Sequence, residues 1–67
     1  MNLYRRIRDL REDRDLSQAD IAKILHVSQP TYSRYESGAL DIPSSALIAL
    51  AKFYVVSVDY LLGLKDR

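Results

Sequence analysis

The sequence contains no cysteine, which removes a disulfide framework, a thiolate metal site and a cysteine nucleophile together. Histidine is nearly as scarce. His26 stands alone, and because a metal site needs several ligands, it reads as a turn residue rather than as a ligand or base. Glycine occurs only as Gly38 and Gly63; both read as helix stops, so no glycine-rich loop is available to cradle a phosphate. The longest mainly apolar stretch, residues 46–56, is broken by Lys52 and is too short to span a bilayer. Near the N-terminus, Arg5, Arg6 and Arg8 are followed by no apolar run of the kind a secretory signal carries. These absences predict a soluble, cytoplasmic, non-enzymatic chain with no cofactor, no metal and no small-molecule substrate.

A strong excess of one charge is also missing. Ten Lys and Arg face nine Asp and Glu, a net charge of +1, which points only weakly to nucleic acid. Five arginines (5, 6, 8, 11 and 14) share the first helical stretch with Asp9, Glu12 and Asp13. Such a mixture is more often a solvated, ion-paired face than a phosphate-binding stripe. At 67 residues the chain is at most one domain, here 1–67. A domain this small buries a modest fraction of its surface, so it needs efficient helix packing, a partner, or both.

What the sequence does hold is concentrated in residues 16–36. Ser17 and Ser28 lie eleven positions apart, each after an aliphatic residue, Leu16 and Val27. A serine hydroxyl can accept a hydrogen bond from one of the unpaired first-turn amides of a helix, so both read as N-caps. Each cap has an apolar residue at the fourth helical position, Ile21 and Tyr32, which makes two hydrophobic staples. The interval holds about two helical turns and a short turn, the spacing of a helix-turn-helix over 17–36.

The flanking sequence predicts three more helices. Leu3, Ile7 and Leu10 form one face of a first helix over 2–13, with Asn2 as a possible cap. The second helix, 18–25, turns Ile21, Ala22 and Leu25 inward; the third, 29–36, turns Tyr32 and Tyr35 inward. Leu47, Leu50, Ala51 and Tyr54 recur at the spacing of a fourth helix, with Ser44 expected as its cap. Ser57 then caps a fifth, over 58–62. The fold class is therefore all-α, with five short helices in one compact unit.

The outward face of the third helix is Gln29, Pro30, Ser33 and Arg34, a poor choice if solubility were its only task, since Glu and Lys form helices better. A helix laid in the major groove presents such a face to base edges. Gln29 can pair bidentately with adenine, and Arg34 can do so with guanine or reach a phosphate. Thr31 and Ser33 can bond base or backbone, and Ser28 can touch phosphate. Gln18 stands where a side chain and free helical amides can hold a phosphate oxygen. Taken singly, each of these is equally well an ordinary solvated residue.

The segments Leu-Ser-Gln-Ala-Asp-Ile-Ala, Val-Ser-Gln-Pro-Thr-Tyr-Ser-Arg-Tyr-Glu-Ser-Gly and Val-Ser-Val-Asp-Tyr-Leu-Leu-Gly resemble the Cro/C1-type helix-turn-helix family of bacterial and phage repressors, over residues 5–62. The resemblance implies a lambda-repressor-like domain that binds double-stranded operator DNA, usually as a homodimer on an inverted repeat. It implies base reading at Gln29, Pro30, Thr31, Ser33 and Arg34, phosphate contact at Gln18, and a backbone contact at Ser37. It also implies an ion pair of Arg11 with Glu36. The sequence departs from the family where His26 and Val55 replace common glycines, where Pro30 replaces a long polar reader, and in the 39–42 loop, which lacks a basic residue. A β-branched residue is strained in a left-handed conformation, so the turn at Val55 is expected to take another shape.

Tyr54, Val56, Val58, Tyr60 and Leu64 are more apolar than one inward face requires. They either complete a small core or form a self-complementary dimer patch. Two functions follow: a DNA-binding transcriptional regulator, located with the nucleoid, or an antitoxin-like protein-interaction module on the same fold.

Overall fold

The computed structural model describes residues 5–64. Five α-helices follow one another: α1 (Arg5–Asp13), α2 (Gln18–Leu25), α3 (Gln29–Ser37), α4 (Ser44–Tyr54) and α5 (Val58–Leu61). Asn2 and Leu3 lie outside the described residues.

The two serine signals form as the sequence predicts. Ser17 Oγ accepts from the Asp20 amide at 3.0 Å, and the Asp20 carboxylate accepts from the Ser17 amide at 2.9 Å. That reciprocal capping box, with Asp at the third helical position, satisfies two otherwise unpaired donors. Ser28 Oγ accepts from the Thr31 amide at 3.2 Å, and Ser57 Oγ from the Tyr60 amide at 3.0 Å. Ser44 behaves differently. It is the first residue of α4, and Pro43, with ψ 152°, occupies the cap position without a side-chain hydrogen bond.

Ile7 of α1, Ile21 and Ala22 of α2, Tyr32 and Tyr35 of α3, Leu50, Ala51 and Tyr54 of α4 and Leu61 of α5 form the core, with Ile42 added from the loop. Leu16, Val27, Val56 and Val58 pack around it. α2 lies against α3, α1 bridges α3 and α5, and α4 supports α2 and α5. The helix-turn-helix thus stands on a floor of α1, α4 and α5.

Two expectations are corrected here. Tyr54, counted with the dimer patch, is 2 % exposed and belongs to the core, where its place on the inward stripe of α4 puts it. Val55 does adopt the left-handed conformation, with φ 58° and ψ 49°. Its amide and that of Val56 both bond to the Ala51 carbonyl. Arg14 donates to the Tyr54 and Phe53 carbonyls at 3.2 and 3.5 Å, with its guanidinium over the Tyr54 ring. Pairing these carbonyls and seating Val56 on the core outweigh the strain of one left-handed residue. Because Val55 is 86 % exposed, Val55→Asn gives up little burial. It is expected to raise the unfolding free energy by about 1 kcal/mol in urea titration, as asparagine tolerates this region. A loss of stability would show that the valine is held by contacts rather than merely tolerated.

Candidate nucleic-acid interface

α3 begins with a capped, proline-containing turn. Pro30 costs nothing there, since its missing amide hydrogen would have been unpaired. Gln29, Pro30, Arg34 and Ser37 are exposed and Thr31 and Ser33 half-buried; Gln29, Ser33 and Ser37, four apart, form one row along the helix. Ser28 Oγ also donates to Thr31 Oγ1 at 2.8 Å. Ser37 Oγ donates to the Arg34 carbonyl at 3.2 Å and accepts from the Ala39 amide at 3.3 Å, closing the end of α3.

The reading face is tied to the interior by a continuous chain of hydrogen bonds. Arg11 donates from Nε and Nη2 to the two carboxylate oxygens of Glu36 at 2.7 and 3.1 Å. Its Nη1 donates to the Leu16 carbonyl at 2.8 Å, just before the Ser17 cap. Gln18 Nε2 donates to the same carboxylate at 3.1 Å, and Gln18 Oε1 accepts from Gln29 Nε2 at 2.7 Å. The predicted Arg11–Glu36 pair is present, with side chains 12 % and 4 % exposed.

Burial alone would raise the Glu36 carboxyl pKa, yet it lies below its ordinary value because hydrogen bonds from Arg11, Tyr32 and Gln18 and the Arg11 charge outweigh desolvation. The pKa of Arg11 is raised, first by its hydrogen bond to Glu36. Burial, with the negative charge of Glu36, pushes the Tyr54 hydroxyl up to about 12 against the opposing charges of Arg11 and Arg14. A partly buried network in which Arg11, Glu36 and Gln18 bond to one another holds one geometry.

Gln18, Ser33 and Ser37 also share a recess of about 370 Å³ with Arg11, Glu36 and Arg8. In the sequence, Arg8 reads as part of a solvated, ion-paired face. Its spacing of three from Arg11, which puts the two on one side of α1, was the available signal.

A second depression, about 790 Å³, lies between α4 and α5 and is lined by Ile48, Val55, Val56, Val58 and Tyr60 together with Lys52. Ile48 is 50 % exposed. Ile48, on the exposed side of α4, was legible from helical spacing, whereas Val55 joins this lining through the left-handed turn that ends α4. Leu64 is exposed but lies outside this lining.

A family profile described as Helix-turn-helix matches residues 7–61, most of the chain. The chain belongs to the helix-turn-helix family. Its relatives within that family are bacterial and phage regulators. It is 38 % identical over 61 residues, 91 % of its length, to the uncharacterized HTH-type transcriptional regulator YobD of Bacillus subtilis (strain 168), covering 54 % of that protein. It is 40 % identical over 58 residues to the cryptic phage CTXphi transcriptional repressor RstR of Vibrio cholerae, covering 87 % of this chain and 52 % of that one. The chain thus spans about half the length of the curated relatives it matches. Among solved structures, the helix-turn-helix chain superposes on the P22 c2 repressor protein, crystallised in complex with synthetic operator 9T in the presence of Tl+. The TM-score is 0.85 at 31 % identity, covering 97 % of this chain and 98 % of that one. The five-helix, lambda-repressor-like fold expected from the sequence is the fold observed.

Proposed function

We propose that this chain is a sequence-specific, non-enzymatic regulator of transcription, a repressor that reads the major groove of operator DNA with α3. The observation that carries the reading is the hydrogen-bonded chain from Arg11 through Glu36 and Gln18 to Gln29. It holds an amide side chain in one orientation at the exposed start of a capped helix, where a groove-docked helix meets base edges. With one Nε2 hydrogen committed to Gln18, Gln29 keeps the other hydrogen and its Oε1 for the two hydrogen-bonding positions on adenine. Pro30, Thr31, Ser33 and Arg34 complete the reading face; Gln18, Ser28 and Ser37 contact the sugar-phosphate backbone. The likeness to a repressor crystallised on an operator supports the same use of the same helix. A cytoplasmic, nucleoid-associated location follows from that work.

The reading includes a homodimer on an inverted repeat. Its interface is the α4–α5 surface, with Val56, Val58 and Tyr60 from the predicted patch, Ile48 and Val55 added, and Leu64 nearby. Two copies place their recognition helices about 34 Å apart, one DNA turn. The same exposed apolar groove favours one competing reading, an antitoxin-like module that docks a protein there and binds DNA weakly.

Selection from a randomised duplex pool at about 0.1 M salt separates the two. The expected result is an inverted repeat with half-sites about ten base pairs apart. Recovery at background level, with no steep salt dependence, would overturn the DNA reading in favour of the protein partner.

A further inference from the structure

The mixed charge of α1 conceals two arginines in near-identical local settings. Arg5 faces Asp9 at 3.9 Å and Arg8 faces Glu12 at 3.5 Å, both pairs one helical turn apart and well exposed. Only Arg8 lines the recess shared with Gln18, Ser33 and Ser37.

Within that recess most polar groups are already committed. Arg11 and Glu36 neutralise each other across 2.7 Å. Gln18 has bonds to Glu36 and Gln29, and the Ser37 hydroxyl bonds to the backbone of its own turn. What remains is one net positive charge, carried by Arg8. Its Glu12 partner holds it weakly, because both side chains are more than half exposed, at 62 % and 53 %. A permanent, strongly accepting anion can displace such a partner.

We propose that the recess between α1, α2 and α3 seats a backbone phosphate of duplex DNA, and that Arg8 supplies its charge. The inference rests on the DNA reading above. It adds a contact from outside the helix-turn-helix, on a helix whose arginines the sequence pattern assigns to solvent. Two arginines on one side of α1 then have different tasks: Arg11 orients the reading helix from within, and Arg8 fixes the strand that passes over it. Glu12 acts as a built-in competitor for the same guanidinium.

The test is salt-titrated binding of Arg8→Gln, beside Arg5→Gln, to the selected operator and to an unrelated duplex. Losing one phosphate contact reduces the log–log salt slope by about 0.9, which corresponds to roughly eight-fold weaker binding at about 0.1 M salt. Arg8→Gln is expected to show that loss equally on both duplexes, because a phosphate contact carries no base information. Arg5→Gln is expected to keep the wild-type slope. Glu12→Gln should tighten binding more than Asp9→Asn, although both remove one negative charge from the same helix. A wild-type slope in Arg8→Gln, or equal effects of the Arg5 and Arg8 variants, overturns the phosphate seat alone. A wild-type chain without salt-dependent operator binding overturns the DNA reading itself.

Discussion

Arg11→Met lowers the unfolding free energy by about 3–5 kcal/mol, the cost of stranding one partner of a buried ion pair. The loss comes from Glu36 more than from Arg11. With its side chain only 4 % exposed, the carboxylate keeps its desolvation penalty and loses two of its hydrogen bonds. A domain of this size has roughly 5 kcal/mol or little more in hand, so the variant is largely unfolded at elevated temperature. Its pH dependence identifies the cause. In the wild type the Glu36 pKa is depressed below 4.5. The stability it contributes is therefore complete above that value and lost as pH falls through the folded pKa. In Arg11→Met burial remains while the cation is gone, so the folded pKa rises above the unfolded one. The sign reverses: the penalty is full at neutral pH and shrinks as acid protonates Glu36. Urea unfolding of both proteins between neutral pH and about pH 3 should therefore show the two stabilities converging. The double variant Arg11→Met, Glu36→Met should recover most of the loss, because apolar replacement of a whole buried pair is often neutral. A deficit independent of pH would mean that lost packing of the Arg11 stem, not the stranded charge, is responsible.

What the sequence revealed of this molecule was local. Ser17 and Ser28 were legible because a cap needs only a hydroxyl and three following residues, and the helix periods of Ile21, Tyr32 and Leu50 needed only a few turns. Ser44 misled because a serine inside the first turn looks the same as one before it. The turn at Val55 does not follow from local strain alone, because Arg14 bonds the end of α4 from 40 residues away. The Arg11–Glu36 pair came from family likeness, since nothing in a 25-residue separation marks two charges as neighbours. The passage of that pair's order through Gln18 to Gln29 was likewise out of reach. Both glutamines read as DNA contacts in the sequence, but their mutual bond depends on how closely α2 and α3 pack.

That bond sets the second large effect. Gln29→Ala is expected to cost about 1–3 kcal/mol of discrimination at one base pair per half-site, up to roughly a hundred-fold, while preferences elsewhere in the operator stay as they were. Gln18→Ala should relax the same base pair to a lesser degree. It leaves the Gln29 amide present but free to rotate, because the 2.7 Å bond that orients it is gone. It should also weaken binding to every duplex, through the phosphate contact proposed for Gln18. The two effects separate in a double-mutant cycle read at the cognate and the substituted base pair. If Gln18 acts on specificity only by orienting Gln29, removing it from the Gln29→Ala background changes overall affinity and leaves specificity untouched. Additive losses of specificity would instead make Gln18 an independent reader and end the relay argument. Gln29 is exposed at its helix start, so an unfolding midpoint close to wild type assigns its loss to recognition. Gln18→Ala also removes a hydrogen bond from the buried Glu36 carboxylate, so its binding is compared well below its own, lower midpoint.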